Sequence, residues 1–323
     1  MGEQLLRIRG LTVRYPRMER PALDDLDLDV APGEGVAIVG ESGSGKSTAA
    51  LAATRLLDRE VGIAAAELSF EGQDLMAMPH RKLRSLRARR IGMVFQDPSG
   101  SWNPARRIGA QLIDGLHAAG FDGDLRERLI TLMHRVGIDR PAERLDDFPH
   151  QFSGGMLQRA MIAGALSTEP ALLVADEPTS ALDTTVQAEL LQLIDELRSQ
   201  TGIGLVMISH DLGVVSRVAD RTMVLYAGRV VEEGPTAALF ERPIHPYTWG
   251  LIASIPRFDG PRKVHLRTVG AGEVANEGCS YAPRCPLVVD RCRVETPLPR
   301  VVQDRRVACH RAEEAPAELE LGA

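Results

Sequence analysis

The chain opens on short stretches in which apolar and polar residues alternate. Leu6-Arg7-Ile8-Arg9 and Leu26-Asp27-Leu28-Asp29-Val30 place an apolar side chain at every second position. That is the period of half-buried antiparallel strands. Gly35-Val36-Ala37-Ile38-Val39 is continuously apolar and predicts a strand covered on both faces. A glycine-rich turn follows, then a helical segment from about Lys46 to Leu57, then a strand at Ile91-Gly92-Met93-Val94-Phe95. From about Pro98 to Ala165 the period is helical and no strong strand is predicted. Alternation then resumes, with strands at 172–175, 203–208 and 221–226 and helices at 184–200 and 212–219. Strands alternating with helices predict an α/β fold with a largely parallel sheet. The opening strands then form an antiparallel β subdomain, and residues 98–165 form a helical subdomain inserted between two sheet strands.

The pattern changes after Pro243. Proline becomes frequent, all four cysteines follow Gly278, and the end is rich in Ala and Glu. This divides the chain into a main domain at 1–243 and a small cysteine-containing appendage at 244–323, with Glu313 to Ala323 expected to fray. A length of 323 residues with 44% hydrophobic residues is enough for that arrangement. The net charge of -6 is not the basic footprint of a nucleic-acid binder, so no nucleic-acid partner is expected. The basic run Arg81-Lys82-Leu83-Arg84-Ser85-Leu86-Arg87-Ala88-Arg89-Arg90 reads as a solvated helix face or connector. The most apolar region, Ala160 to Ala175, is interrupted by Ser167-Thr168-Glu169-Pro170, so no segment reaches the roughly 20 apolar residues of a membrane span. The N-terminus has neither a signal-peptide pattern nor, with Leu6 where Ser or Thr is needed, a myristoylation pattern. A cytoplasmic location is expected, with any membrane role exercised through partners.

Candidate chemistry begins at Gly40-Glu41-Ser42-Gly43-Ser44-Gly45-Lys46-Ser47, which matches G-x-x-x-x-G-K-[ST] between a predicted strand and a predicted helix. Glycines let the backbone curl until successive N–H groups face phosphate oxygens. The following helix adds its positive end. Lys46 is placed to reach β- and γ-phosphates, and the Ser47 hydroxyl to bind Mg²⁺. Far along the chain, the strand at 172–175 ends in Asp176-Glu177. Carboxylates there sit at the ligand crevice of an open α/β sheet. Asp176 is the candidate for the Mg²⁺ shell and Glu177 the candidate base for an attacking water.

Phe152-Ser153-Gly154-Gly155-Met156-Leu157-Gln158-Arg159 resembles the signature sequence of ABC-type ATPases. Ser153 is placed to cap the next helix, and Gly154 and Gly155 to bring its N–H groups against an anion. The resemblance implies a P-loop NTPase fold of the ABC type. It also implies that this surface faces ATP held by a second subunit. Further marks follow in order. Tyr15 resembles the aromatic residue that stacks on adenine. Gln96 resembles the glutamine that senses Mg²⁺, water and the membrane partner. Ser180-Ala181-Leu182-Asp183 resembles the loop that crosses the dimer interface. His210 resembles the histidine at the γ-phosphate. The implied set is therefore Glu177, His210 and Gln96 for catalysis, with Ser47, Gln96 and Asp176 for Mg²⁺. Tyr15, Gly40, Ser42, Gly43, Ser44, Gly45, Lys46, Ser47, Thr48, Gln96, Asp176, Ser153, Gly154, Gly155 and Asp183 would hold nucleotide.

Narrower features resemble the oligopeptide/dipeptide/nickel importer group. They are Phe95-Gln96-Asp97-Pro98 with Asn103-Pro104, Met156 after the signature, His245-Pro246-Tyr247-Thr248, Ser254-Ile255-Pro256 and the four-cysteine tail. Trp102 and Leu157 depart from that group's usual residues. The resemblance implies an ATP-hydrolysing importer subunit at the cytoplasmic face of the cell membrane. Its partners would be a second ATPase, a paralogue by preference, two transmembrane permease subunits and an extracytoplasmic solute-binding protein. A peptide-like solute leads, with nickel open. The competing reading is a soluble ABC ATPase serving iron–sulfur assembly, translation or DNA repair, but the single motif set and the absence of a heptad run weigh against it.

Cys279, Cys285, Cys292 and Cys309 are separated by five, six and sixteen residues. Disulfides do not suit a reducing compartment. Structural zinc sites usually carry a tight C-x₂₋₄-C pair, and none occurs here. Four thiolates hold a [4Fe–4S] cluster at varied spacings, and the tail resembles the group's cluster-binding region. A [4Fe–4S] cluster on the four cysteines is the expectation, with zinc and free buried thiols as alternatives and His310 a bystander.

Overall fold

A computed structural model describes residues 4–180, 182–254 and 273–315. In chain order the elements begin with β1 (Leu6–Arg14), β2 (Leu23–Val30), β3 (Gly35–Val39) and α1 (Lys46–Ala53). Next come β4 (Gly62–Ala64), β5 (Glu67–Phe70), β6 (Gln73–Asp74), α2 (His80–Arg90) and β7 (Ile91–Val94). A helical stretch follows, of α3 (Ile108–Ala118), α4 (Leu125–Arg135), α5 (Pro141–Arg144) and α6 (Gly154–Ser167). Then come β8 (Leu172–Asp176), α7 (Thr184–Thr201), β9 (Gly204–Ile208), α8 (Leu212–Val218), β10 (Arg221–Tyr226) and β11 (Arg229–Pro235). The described chain finishes with α9 (Thr236–Glu241), α10 (Pro246–Ala253), α11 (Asp290–Val294), β12 (Arg300–Val302) and β13 (Arg305–Val307).

Two sheets result. The smaller is antiparallel, in the order β2-β1-β5-β6, with β4 also on β1. The larger runs β12-β13-β11-β10-β3-β9-β8-β7. Its pairs from β10 through β7 are parallel. Its other edge is antiparallel. The continuous apolar runs have a direct cause. In β8, Leu173 and Ala175 enter the core shared with the helical insertion, while Leu172 and Val174 enter the core beneath the small sheet. In β9, Leu205 and Met207 divide from Val206 and Ile208 in the same way. Both faces are covered, so β8 and β9 stay apolar until Asp176 at the last position of β8. Each fully buried Leu or Ile contributes about 1.5–3 kcal/mol.

Several boundaries differ from the sequence reading. β1 runs on to Arg14 because a bulge near Gly10 shifts its pairing with β2, and the simple alternation therefore breaks at Arg9. α1 stops at Ala53, four residues before Leu57; Thr54 Oγ1 donates to the Ala50 carbonyl 2.9 Å away. β4–β6 and β11–β13 were not predicted, because short edge strands take their form from partners rather than from periodicity. The basic run forms α2, with only Leu83 fully buried and Arg81, Lys82, Arg84, Arg89 and Arg90 exposed, as a solvated helix face should be.

The last strands belong to the stretch read as an appendage, yet they extend the main sheet through β13 on β11. A buried ionic knot fastens them. Glu232 on β11 accepts N–H groups from Ile244 and His245, and Arg305 Nη1 lies 3.1 Å from its Oε1. Arg305 also donates to the carbonyls of Ala238 and Arg242. Among the described residues no helix is long and apolar enough to cross a membrane. Ala181, Ile255, Pro256 and residues 316–323 of the acidic end lie outside the described residues.

Candidate functional site

The phosphate loop turns from β3 into α1. Gly45 is the N-cap at φ 107°, and a Cβ there would lie 2.5 Å from the Ala22 carbonyl, so the turn requires glycine. Lys46 is buried and folds back to donate from Nζ to the carbonyls of Gly40 and Glu41, each 2.8 Å away. Burial lowers its pKa, while the nearby charges of Glu177, Asp176 and Glu41 act in the opposite sense. Ser44 is buried and its hydroxyl has no protein partner. Tyr15 packs at the edge of the small-sheet core with its hydroxyl 3.3 Å from Thr48 Oγ1.

Asp176 ends β8 and is 5% exposed. Burial raises its pKa, against a hydrogen bond with Ser47. Its Oδ1 is buried with no partner. An unpartnered buried carboxylate oxygen beside a serine hydroxyl is a donor set that suits a hard divalent cation. Glu177 follows with φ 48°, its N–H donating to the Ile208 carbonyl on the neighbouring strand. Its Oε1 meets His210 Nδ1 at 3.0 Å. The structure therefore brings together Gly40, Ser42, Gly43, Ser44, Gly45, Lys46, Ser47, Thr48, Tyr15, Asp176, Glu177 and His210.

Three other predicted groups make no hydrogen bond to that cluster among the described residues, although Ser180, at the start of the loop to Asp183, donates to the Glu177 carbonyl. Gln96 lies exposed just beyond β7. Ser153 caps α6, accepting the Met156 N–H at 3.3 Å, and Gly154 and Gly155 form the first turn, partly open to solvent. Asp183 caps α7 by accepting the N–H groups of Thr185 and Val186. Among the described residues no hydrogen bond or ion pair joins Ser153–Gly155 to the phosphate loop. The exposed first turn of α6 leaves its N–H groups open to a ligand from outside this chain.

The four cysteines converge although they are far apart in sequence. Cys279, Cys285, Cys292 and Cys309 line one small cavity with His245, Tyr281 and His310. Gly278 permits the crossing there: at φ 69°, a Cβ on it would lie 2.4 Å from the Cys292 carbonyl, which accepts the Cys279 N–H. Backbone N–H groups face the sulfurs, from Tyr281 and Ala282 onto Cys279, Leu287 onto Cys285 and Arg311 onto Cys309. Burial pushes the Cys285 thiol up to about 12 and Cys309 to about 11. Among the described residues no three His, Cys, Asp or Glu side chains converge closely enough for a single metal ion.

Sequence reasoning missed one connection. Glu41, at a variable position of the phosphate-loop pattern, is clasped by Arg284, whose Nη1 and Nη2 lie 2.9 and 2.7 Å from its two carboxylate oxygens. The Glu41 N–H donates to the Tyr247 hydroxyl at 2.8 Å. The only signal was the placement of Arg284 beside Cys285.

Fold and site define a nucleotide-binding ATPase cassette with a second, C-terminal region. The chain matches the ABC transporter family over residues 23–180 and the oligopeptide/dipeptide transporter C-terminal region over residues 231–292. It is 43% identical over 314 residues to the dipeptide transport ATP-binding protein DppD of Escherichia coli, covering 95% of this chain and 96% of that protein. The protein of the same name from Haemophilus influenzae is 41% identical over 313 residues, covering 95% of each. A dimeric ATP-binding cassette solved in a post-hydrolysis state with ADP and Pi superposes with a TM-score of 0.64 at 27% identity, covering 72% of this chain and 98% of that one. The chain belongs to the ABC transporter ATPases, with the C-terminal region of the oligopeptide/dipeptide branch.

Proposed function

We propose that this chain is the ATP-hydrolysing subunit of a bacterial importer for a di- or oligopeptide. It would work at the cytoplasmic face of the membrane with two permease subunits, a solute-binding protein and a second, paralogous ATPase. The observation that carries the chemistry is the convergence of Lys46, the unpartnered Asp176 Oδ1 and the Glu177–His210 pair at one end of the sheet. The match at 231–292 and the two dipeptide-transport relatives support transport over a non-transport ABC ATPase. The chain is read as an ATPase domain at 1–243 carrying an appendage at 244–323.

Ser47, Asp176 and Gln96 would hold Mg²⁺, which offsets charge on β- and γ-phosphate oxygens when bound. Tyr15 would stack on adenine, with the Thr48 hydroxyl beside it. N–H groups of the loop from Gly40 to Ser47 would surround the phosphates. Lys46 would leave the Gly40 and Glu41 carbonyls for the γ-phosphate. Glu177 takes the proton as a water oxygen attacks γ-phosphorus, and the bond to the β-bridging oxygen breaks to give ADP and phosphate. His210 holds the Glu177 carboxylate and faces the departing phosphate. Ser153, Gly154, Gly155 and the Asp183 loop act across the interface on the other subunit's nucleotide. Closure of that sandwich is the step that drives the permeases.

We assign a [4Fe–4S] cluster to the cysteine cavity, with zinc as the alternative; what supports the reading is the gathering of Cys279, Cys285, Cys292 and Cys309 on one cavity. A cluster binds each thiolate at a different iron and so spreads them around a common cavity. Burial favours the protonated thiols here, and N–H groups aimed at the sulfurs act in the opposite sense, toward the thiolate form that either ligand requires. The role assigned to it is structural.

The test is uptake of a labelled dipeptide into proteoliposomes holding the two permeases, this chain and its paralogue, with binding protein added outside. Uptake that requires internal ATP supports the reading. ATP hydrolysis that neither permeases nor loaded binding protein stimulates would return the non-transport ATPase to first place.

A further inference from the structure

The phosphate loop and the cysteine cavity are joined by two short side-chain struts that end on one residue. The first starts at Cys285, a wall of the cavity. Its neighbour Arg284 reaches both carboxylate oxygens of Glu41 at 2.9 and 2.7 Å. The guanidinium is nearly enclosed, lying over the rings of Tyr226 and Tyr281 and donating to the Tyr226 hydroxyl at 3.3 Å. The second strut starts at His245, another wall of the cavity, which caps α10 by accepting the Tyr247 N–H at 3.0 Å. Tyr247 is fully buried and its hydroxyl accepts the Glu41 N–H at 2.8 Å.

Tyr226, Tyr247 and Tyr281 pack against one another with ring centroids 4.6, 5.2 and 5.4 Å apart, so the struts share one rigid block. Glu41 is held by main chain and by side chain at once. It lies directly after Gly40, and the Gly40 and Glu41 carbonyls are the acceptors of Lys46 Nζ. A shift of Glu41 therefore moves both the first turn of the loop and the lysine that must meet the γ-phosphate. Close-packed interiors pass such displacements on rather than absorbing them.

We propose that Arg284 and Tyr247 are positioning residues for the phosphate loop, through which the filling of the cysteine cavity sets the chain's affinity for nucleotide. This rests on the reading of that cavity as a ligand site. A filled cavity fixes Cys285 and His245, and these fix Arg284 and Tyr247 on Glu41. A stripped cavity frees them, and the loop loses its shape for phosphate. By linkage, bound nucleotide in turn holds the cavity's contents more tightly.

The experiment uses the full chain purified anaerobically, with iron and visible absorbance recorded beside titration of a fluorescent ATP analogue and Mg²⁺. Arg284→Met should weaken nucleotide binding roughly tenfold, within the usual span of coupling between sites, while iron and absorbance stay as in the parent. Arg284→Lys should recover part of the loss, since one charge–charge contact returns without the bidentate fit. Tyr247→Phe should weaken binding in the same direction. In a Glu41→Gln background, Arg284→Met should add little, because both act through one contact. Cys285→Ser should weaken nucleotide binding in the parent and much less in Arg284→Met.

Binding within twofold of the parent for Arg284→Met, or full additivity with Glu41→Gln, overturns the proposal. So does a Cys285→Ser chain that loses its iron and keeps parental nucleotide affinity. Failure of the cluster reading shows separately, as a parent chain without iron or sulfide. The Arg284–Glu41 cycle reads the clasp whatever fills the cavity.

Discussion

His210 Nδ1 lies 3.0 Å from Glu177 Oε1, joining the ends of two neighbouring parallel strands across the nucleotide crevice. Glu177 reaches that position from a backbone at φ 48°, a conformation that costs a non-glycine residue of order 1–3 kcal/mol. Its N–H on the Ile208 carbonyl locks the turn. The result is a carboxylate held at a fixed place, with its partner histidine open to solvent on the other side. That is what a base for one ordered water requires.

Asp176 should matter through the cation. Its Oδ1 is buried and unpartnered, and its pKa is raised by that burial. Asp176→Asn keeps the shape and removes the charge. Mg²⁺-dependent nucleotide affinity should fall at least tenfold, while binding of nucleotide without Mg²⁺ changes little. Titration of a fluorescent nucleotide with and without Mg²⁺ separates the two.

The signature glycines predict dependence on a partner. Ser153, Gly154 and Gly155 make no hydrogen bond to their own chain's phosphate loop among the described residues. The isolated chain should hydrolyse ATP slowly and with a rate that rises with concentration. Adding permeases and the second ATPase should raise it, and loaded binding protein further. A purified chain at the full rate of the complex, independent of concentration, would contradict a shared site.

The Glu232–Arg305 knot predicts where the fold loosens. Removing one partner of a buried ion pair costs about 3–5 kcal/mol. Glu232 and Arg305 are 0% and 3% exposed. Arg305→Met should accelerate hydrogen exchange in β12 and β13 well before β8 and β9 respond. Uniform protection in the variant would mean that the knot contributes little.

Cys279, Cys285, Cys292 and Cys309 predict colour. Protein purified without oxygen should be brown, with about four irons and four sulfides per chain. Cys→Ser changes should bleach it and expose β12–β13 to exchange. Stoichiometric zinc without iron or sulfide, in cells supplied with iron, would favour zinc.

Much of this was legible before the fold was known. The parallel strands announced themselves because β3, β8 and β9 are apolar on both faces. The phosphate loop was legible because only a narrow residue pattern curls that way, and Asp176 and Glu177 because they close such a strand. The Arg284–Glu41 clasp was not legible: its two ends are 243 positions apart, Glu41 in a loop and Arg284 at the end of a three-residue 3-10 turn too short to show a period. Nor was the docking of β13 on β11, since Arg305-Arg306-Val307 has no strand period of its own and is fixed by Glu232 instead. The resemblance of the tail to the importer group's C-terminal region named the four cysteines as a set, but their convergence depends on the Gly278 crossing.

The central claim is that Glu177 performs hydrolysis within an importer complex, and steady-state turnover tests it most directly. Glu177→Gln keeps the hydrogen-bonding shape and loses the base. In the assembled complex, carried on both ATPase subunits, it should bind ATP with near-parental affinity. Hydrolysis should fall at least about a hundredfold, the usual scale for a lost general base, and peptide uptake should fall with it. Near-normal hydrolysis by the Glu177→Gln complex would contradict the account.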